Sequence, residues 1–200
     1  MDNHRGALLL FLAKHHRERF TVRRLSLLLG VPYATLYRLV LNQGDDLFKE
    51  RVGTAITLGI DCSHPLVKHR LIIAADEERQ RFLKNSPLLR AIAETQLPQN
   101  HALVLFGSEA KRTAKERSDV DLLVLNKDGK KTVSFLDQEL FYKRKINPIF
   151  LTLREFTEML GAGPENVGKQ ILSDHVILHN PELFWGVTVA TLRDEVPRTV

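Results

Sequence analysis

The chain has little cysteine and no long apolar run, and these absences exclude several classes of protein. Its one cysteine, Cys62, leaves no second thiol for an internal disulfide and too few thiolates for a cysteine-rich zinc site. No stretch reaches the roughly 18 apolar residues that a membrane-spanning helix needs. The run Leu8–Ala13 is followed by basic residues rather than by a small-residue cleavage site, so we predict no secretory signal. We expect a protein of the reducing cytoplasm without a membrane partner.

Charge is distributed unevenly along a chain of ordinary composition. Hydrophobic residues make up 44% and charged residues 26%, proportions typical of a globular protein rather than a disordered one. Positions 1–60 hold nine basic and five acidic residues, whereas the other positions hold twenty and nineteen. The positive excess therefore lies in the first third, which favours an anionic partner for an N-terminal module.

The first 62 residues are predicted to form a helix, a helix–turn–helix and a hairpin. Thr21 is the expected N-cap of the second helix, and Gly30 is expected to end it. Two strands are predicted at 47–52 and 55–60, around a glycine turn. We assign this module to residues 1–62.

The rest of the chain is predicted to hold linking helices, at 63–98, and an α/β or α+β domain, at 99–200. Continuous apolar runs at 102–106 and 120–125 predict strands buried on both faces. A third strand is predicted at 146–151, at an edge or bulge because it contains a proline. Helices are predicted at 66–84, 87–95, 109–115, 133–144, 153–160 and over most of 164–196. The predicted fold is a small mixed sheet flanked by helices.

One face of the third N-terminal helix suits contact with DNA. Leu36, Leu39 and Val40 share the opposite, inward face, so polar and aromatic side chains point outward. Such groups pair with base edges and phosphates in a major groove, and basic residues on the following hairpin can contact phosphates. The candidate DNA-binding residues are Tyr33, Thr35, Arg38 and Asn42 on the helix and Lys49 and Arg51 on the hairpin.

The segment from Thr21 to about Ile60 resembles the winged helix–turn–helix domains of prokaryotic regulators. The resemblance rests on Thr21-x-x-x-Leu25-x-x-x-Leu29-Gly30-Val31 followed by Thr35-x-Tyr37-Arg38. It implies binding of double-stranded DNA, a role in transcription regulation and, since such regulators often occupy two-fold sites, a homodimer. The alternatives are a winged helix used for protein contacts and a chance helical hairpin.

The C-terminal half carries a motif for binding a polyphosphate and a metal ion. Leu105-Phe106-Gly107-Ser108 ends a buried strand, and Asp119-Val120-Asp121 opens the next. Gly107 permits close backbone approach to a ligand, and amides at the start of a helix at Ser108 can face a phosphate. Asp119 and Asp121 lie two apart, so both carboxylates emerge on one face. We predict that they bind Mg²⁺ together with a triphosphate.

This motif resembles the nucleotidyltransferase superfamily of DNA polymerase beta, especially its minimal members. Their pattern is Gly-Ser-x-Ala-Arg-Gly, then Ser-Asp-x-Asp-Leu. The matching positions here are Gly107, Ser108, Ala110, Ser118, Asp119, Asp121 and Leu122. The resemblance implies catalytic roles for Asp119, Asp121 and Ser108, and nucleotide binding by Gly107, Ser108, Lys111 and Arg112.

Three departures from the family pattern concern charge and proton transfer. Lys111 replaces the family arginine and Arg112 replaces the family glycine. The family's third carboxylate, the general base, is absent from the strand at 146–151, where Asn147 stands instead. Asp137 and Glu139 of the preceding helix are the candidate substitutes.

The sequence thus predicts a DNA-binding protein that transfers a nucleoside monophosphate from an NTP, with ATP expected, to an acceptor hydroxyl. The alternative is a catalytically degenerate transcriptional regulator whose second domain senses nucleotide or binds a partner protein. A third role implied by the resemblance is modification of a partner toxin. A surface strand end with two solvated acids is the simplest non-functional interpretation of Asp119 and Asp121.

Overall fold

A computed structural model of the chain describes residues 3–42, 46–115 and 118–195. Its helices are α1 (Asn3–Lys14), α2 (Val22–Leu29), α3 (Tyr33–Leu41), α4 (Val67–Leu83), α5 (Pro87–Ala93), α6 (Gly107–Ala110), α7 (Leu136–Tyr142), α8 (Leu153–Gly161), α9 (Val167–Ser173) and α10 (Pro181–Glu195). Its strands are β1 (Phe20–Thr21), β2 (Leu47–Val52), β3 (Ala55–Ile60), β4 (Ala102–Phe106), β5 (Val120–Asn126), β6 (Ile146–Thr152) and β7 (Val176–His179). Within these ranges, no helix combines the length and apolar character that crossing a bilayer requires.

The first sheet is antiparallel and has the order β1-β3-β2. Beside it, α2 begins where the Thr21 hydroxyl accepts a hydrogen bond from the Arg24 amide at 3.2 Å. The helix ends at Gly30, whose left-handed φ of 62° suits glycine. Both helix boundaries were predicted and are confirmed. Val22 and Leu25 are the buried residues of α2, whereas Leu28 is exposed.

The second sheet has the order β6-β5-β4-β7, with β5 and β6 parallel and the other pairs antiparallel. Successive residues of β4 and β5 enter different hydrophobic clusters, which confirms that both strands are buried on both faces. Pro148 lies in β6 at the sheet edge, as predicted. This mixed sheet with its helices confirms the expected α/β fold class.

The sequence predictions for the C-terminal half missed one strand and made one helix too long. The tail was expected to be mostly helical, and α9 and α10 confirm this, but β7 lies between them and pairs with β4. The helix expected at 109–115 is only the single turn α6. It stops early because the amides of Thr113 and Ala114 both bond to the Ser108 carbonyl, at 2.9 and 3.1 Å, instead of continuing the helical ladder.

Helix α4 packs against elements from both halves of the chain. It contacts α1, α10 and β7, and its residues Leu71, Ala74 and Ala75 are buried. One hydrophobic cluster includes residues from α1, β3, α4, β5 and α10. The predicted linking segment therefore packs against the elements on either side of it, and the boundaries at 62 and 98 stay a prediction.

Ion pairs with buried or partly buried side chains connect α1 and α4 to their neighbours. Asp46, just before β2, is fully buried, and its Oδ2 accepts from Arg5 Nη2 at 3.2 Å and from Arg70 Nη1. The Lys14 ammonium donates to both Glu78 carboxylate oxygens, at 2.9 and 3.0 Å, and to the His175 carbonyl at 2.7 Å. These contacts join α1 to α4 and to the residues that precede β7.

Candidate active site

The turn from β4 into α6 brings Gly107 against the carboxylate of Asp121. Phe106 pairs with Asp121 in the antiparallel β4–β5 register, so the next residue, Gly107, meets the Asp121 side chain. Gly107 has φ of 71°, and a Cβ at this position would collide with Asp121 Oδ2. Only glycine fits here without displacing the carboxylate. The glycine and the second aspartate of the motif are thus parts of one local structure.

Asp119 lies one residue before β5, rather than on the strand as predicted. Its Oδ2 accepts from the Asn147 amide nitrogen at 3.0 Å and lies 3.5 Å from Lys145 Nζ. The hydrogen bond from Asn147 is the main cause that lowers the pKa of Asp119; burial of the carboxyl opposes it, and the charges of Lys145 and Arg144 lower it further. The carboxylate remains 43% exposed, so it is ionised at neutral pH and open to a ligand.

Asn147 occupies the place where a third carboxylate was looked for. It pairs with Asp121 in the parallel β5–β6 register and donates to Asp119, so it lies beside both aspartates. Glu139, considered as a substitute base, instead accepts the Ile146 amide at 2.7 Å and supports the start of β6. Asp137 is exposed on α7. An amide cannot take a proton from a hydroxyl at neutral pH.

The side chains predicted to bind phosphate contact different parts of the structure. Ser108, half-exposed, opens the four-residue turn of α6. Lys111 Nζ lies 3.4 Å from Asp174 Oδ2, at the end of α9. The Arg112 guanidinium lies over the Phe82 ring of α4, 4.6 Å from its centroid. The structure therefore places Ser108 next to the Gly107 turn and directs Lys111 and Arg112 towards other elements.

Sequence reasoning missed two cations that support this region. Arg144 Nη1 lies 2.6 Å from Glu109 Oε1, and the same guanidinium donates to the Ser118 carbonyl. It thereby ties α6 to the residues preceding β5. Lys145 faces Asp119, as described above. The sequence does show these cations, as the basic run Lys143-Arg144-Lys145 directly before β6. That they lie near the aspartates follows from the β5–β6 register, which the sequence does not reveal.

The donor set of the two aspartates fits a magnesium ion that keeps substrate phosphate and water among its ligands. Carboxylate oxygens suit this hard cation, which proteins often bind through one or two carboxylates plus phosphates. Asp119 and Asp121 are both partly exposed. Across residues 3–42, 46–115 and 118–195, no group of three or more His, Cys, Asp or Glu residues could hold a metal ion. The site therefore lacks an all-protein metal cage.

The predicted DNA-binding residues lie along α3 and the β2–β3 hairpin. Tyr33, Arg38, Asn42, Lys49 and Arg51 are exposed, and Thr35 is half-buried. The rings of Tyr33 and Tyr37 stack at 5.8 Å between centroids. Arg38 Nε donates to the Ala34 carbonyl, and Arg51 Nε to the Gly53 carbonyl, both at 3.3 Å.

Comparison with known proteins places one domain family on the C-terminal half of the chain. Residues 89–182 match the family model described as "Polymerase beta, Nucleotidyltransferase". The matched segment includes the Gly107 turn, both aspartates and Asn147, which supports a nucleotidyltransferase domain here and a transferase activity at the level of the superfamily. Neither the curated proteins nor the solved structures returned a match to the chain.

Proposed function

We propose that this chain transfers a nucleoside monophosphate from an NTP, with ATP as the expected donor, to an acceptor hydroxyl in a Mg²⁺-dependent reaction. The observation that carries the proposal is the contact of the Asp121 carboxylate with Gly107, with Asp119 held nearby by Asn147. This arrangement puts the Asp121 carboxylate against the backbone turn at Gly107–Ser108, where the donor phosphates would lie, and Asn147, which pairs with Asp121, holds Asp119. The match of residues 89–182 to the nucleotidyltransferase family supports it.

In this reaction the acceptor oxygen forms a bond to the α-phosphorus of the donor, and the bond from that phosphorus to the bridging oxygen of the β-phosphate breaks. Pyrophosphate leaves. Asp119 and Asp121 would hold Mg²⁺, and the ion would supply positive charge that orients the phosphates and offsets the negative charge of the leaving group. Asn147 and Lys145 orient Asp119. The hydroxyl proton passes to solvent water, because β6 offers an amide at Asn147 where a carboxylate base would stand.

Transfer of label from [α-³²P]ATP in the presence of Mg²⁺ and candidate acceptors tests this proposal. We expect labelled acceptor with the wild-type chain and none with Asp119→Ala or Asp121→Ala. Asp128→Ala is the matched control, because Asp128 follows the opposite end of β5. Label transfer that survives both substitutions would refute the assigned roles.

We further propose that residues 1–62 form a winged helix that binds double-stranded DNA through α3 and the β2–β3 hairpin. The exposed side chains of Tyr33, Arg38, Lys49 and Arg51 support the proposal, since guanidinium, ammonium and phenol groups suit bases and phosphates. Fluorescence anisotropy with labelled duplex DNA is the assay. Arg38→Ala should weaken binding, and affinity should fall as salt rises. Arg154→Ala, an exposed arginine on α8, should bind like wild type; equal loss in both variants would contradict a specific face.

One observation favours a second candidate, a regulator whose C-terminal domain senses nucleotide without catalysis. Asn147 and Lys145 surround Asp119 with hydrogen-bond and charge partners but provide no general base. A nucleotide-dependent rise in Tm without any label transfer would select this function over the first. Transfer that requires Asp119 would exclude it.

A further inference from the structure

A cavity of about 290 Å³ is lined by Glu109, Arg112 and Ala114 of α6 and the turn that follows it, and its lining does not include Gly107 or Ser108. The other lining residues include Arg81 and Phe82 at the end of α4 and Asn85 in the connection to α5. Residues 81–85 precede the segment that matches the nucleotidyltransferase family. The cavity is therefore formed by the family domain together with a part of this chain that the family model does not cover.

Arg112 is held at this cavity in an unfavourable backbone conformation. Its φ of 56° lies in the left-handed region, which costs a residue with a side chain free energy that glycine does not lose. Its guanidinium stacks on Phe82, 4.6 Å from the ring centroid. Backbone strain kept at a cavity wall is a recognised mark of a functional position. Here the left-handed backbone and the stacking together fix one cation at the cavity.

Cationic side chains line this cavity. Among the described lining residues Glu109 is the acidic one, and it pairs with Arg144 at 2.6 Å. Arg81 and Arg112 are the lining cations. Arg112 contacts the Phe82 ring through a cation–π interaction, and a guanidinium presents its N–H donors along its edge. That edge matches two oxygens of a phosphate group.

We propose that this cavity binds a phosphate group carried by the acceptor substrate. The inference rests on the proposed transfer reaction, because it assigns the cavity to the acceptor rather than to the donor. In the proposed reaction the donor phosphates would lie at Gly107–Ser108, where α6 begins, whereas Arg112 follows the end of α6. The single turn of α6 separates the two places and keeps them adjacent. An acceptor phosphate bound at Arg112 would bring its hydroxyl towards the donor from that side.

Binding of inorganic phosphate to the full chain, followed by ³¹P NMR line broadening, tests the cavity. Arg112→Gly should lower phosphate affinity by about tenfold or more, because it removes a charge-assisted, two-pronged contact. Lys143→Gly is the matched control, because Lys143 also has a positive φ, of 50°, but does not line the cavity. The phosphate affinity of this variant should equal that of wild type. Arg112→Lys keeps the charge, loses the fork and should also weaken binding, which covers failure of the glycine variant to fold.

Competition with nucleotide identifies which substrate the cavity serves. Saturating ATP with Mg²⁺ should leave the phosphate signal broadened; displacement would assign the cavity to the donor and overturn the inference. Equal phosphate affinity in wild type and Arg112→Gly, or no binding to wild type, would also overturn it. Asp119→Ala should keep phosphate binding while losing label transfer. The cavity and the transfer reaction can therefore fail independently.

Discussion

Replacing Asp46 by asparagine measures how strongly one buried carboxylate holds α1, α4 and β2 together. The Asp46 side chain is 0% exposed, whereas those of Arg5 and Arg70 are 25% and 22% exposed. Removing one member of a buried ion pair costs about 3–5 kcal/mol, because the remaining charge loses its partner. Both guanidiniums here keep some access to water, and asparagine retains an acceptor oxygen. We therefore expect the free energy of unfolding to fall by about 2–3 kcal/mol.

Urea denaturation followed by circular dichroism gives the free energy, and calorimetry gives Tm. For a chain of this size the expected loss corresponds to a Tm lower by about 5–10 °C. The control is Asp76→Asn, which removes an i,i+3 pair with Arg79 whose side chains are 40% and 33% exposed. Loss of that exposed pair should lower the free energy of unfolding by about 1 kcal/mol or less. If Asp46→Asn costs no more than Asp76→Asn, the buried carboxylate does not hold these elements together as argued.

Two further predictions concern a glycine and a histidine. Gly107→Ala should abolish label transfer and destabilise the chain more than Gly53→Ala, because both glycines have positive φ but only at position 107 would the new methyl collide with Asp121; equal Tm values with full transfer would refute the close approach. Burial, and then the charge of Lys14, hold the pKa of His175 well below its usual value. Below a pH of about 6.5 the unfolded chain therefore binds a proton at this histidine that the folded chain does not. The free energy of unfolding should then fall by up to about 1.4 kcal/mol for each pH unit as the pH drops. His175→Phe should reduce this slope and the exposed His69→Phe should not; identical pH profiles for wild type and His175→Phe would contradict it.

Local patterns in the sequence predicted most of the strands. The runs at 102–106 and 120–125 are apolar at every position, so they predicted strands buried on both faces without knowledge of the partners. The Thr21 cap and the Gly30 stop depend on single residues and their neighbours, and both are confirmed. Strand β7 was missed because Val176-Ile177-Leu178 is too short for a pattern and becomes a strand only beside β4.

The candidate site was predictable where it depends on spacing and not where it depends on register. Spacing identified Gly107 and the two aspartates. The hydrogen bond from Asn147 to Asp119 spans 28 positions and follows from the parallel β5–β6 register. The stacking of Arg112 on Phe82 joins α4 to the turn after α6, and no periodicity in the sequence indicates it.

The hydrophobic cluster shared by α1, α4, β5 and α10 affects how the chain responds to heat and to shortening. Since the buried side chains of α4 belong to that same interior, the N-terminal helices and the C-terminal sheet should melt in one cooperative transition. A fragment cut at the end of β3 would expose the apolar side chains of α1 that pack against α4 in the intact chain. Such a fragment should aggregate. Because the intact chain is expected to melt in one transition, a ligand that binds at either end should raise the melting temperature of the whole molecule.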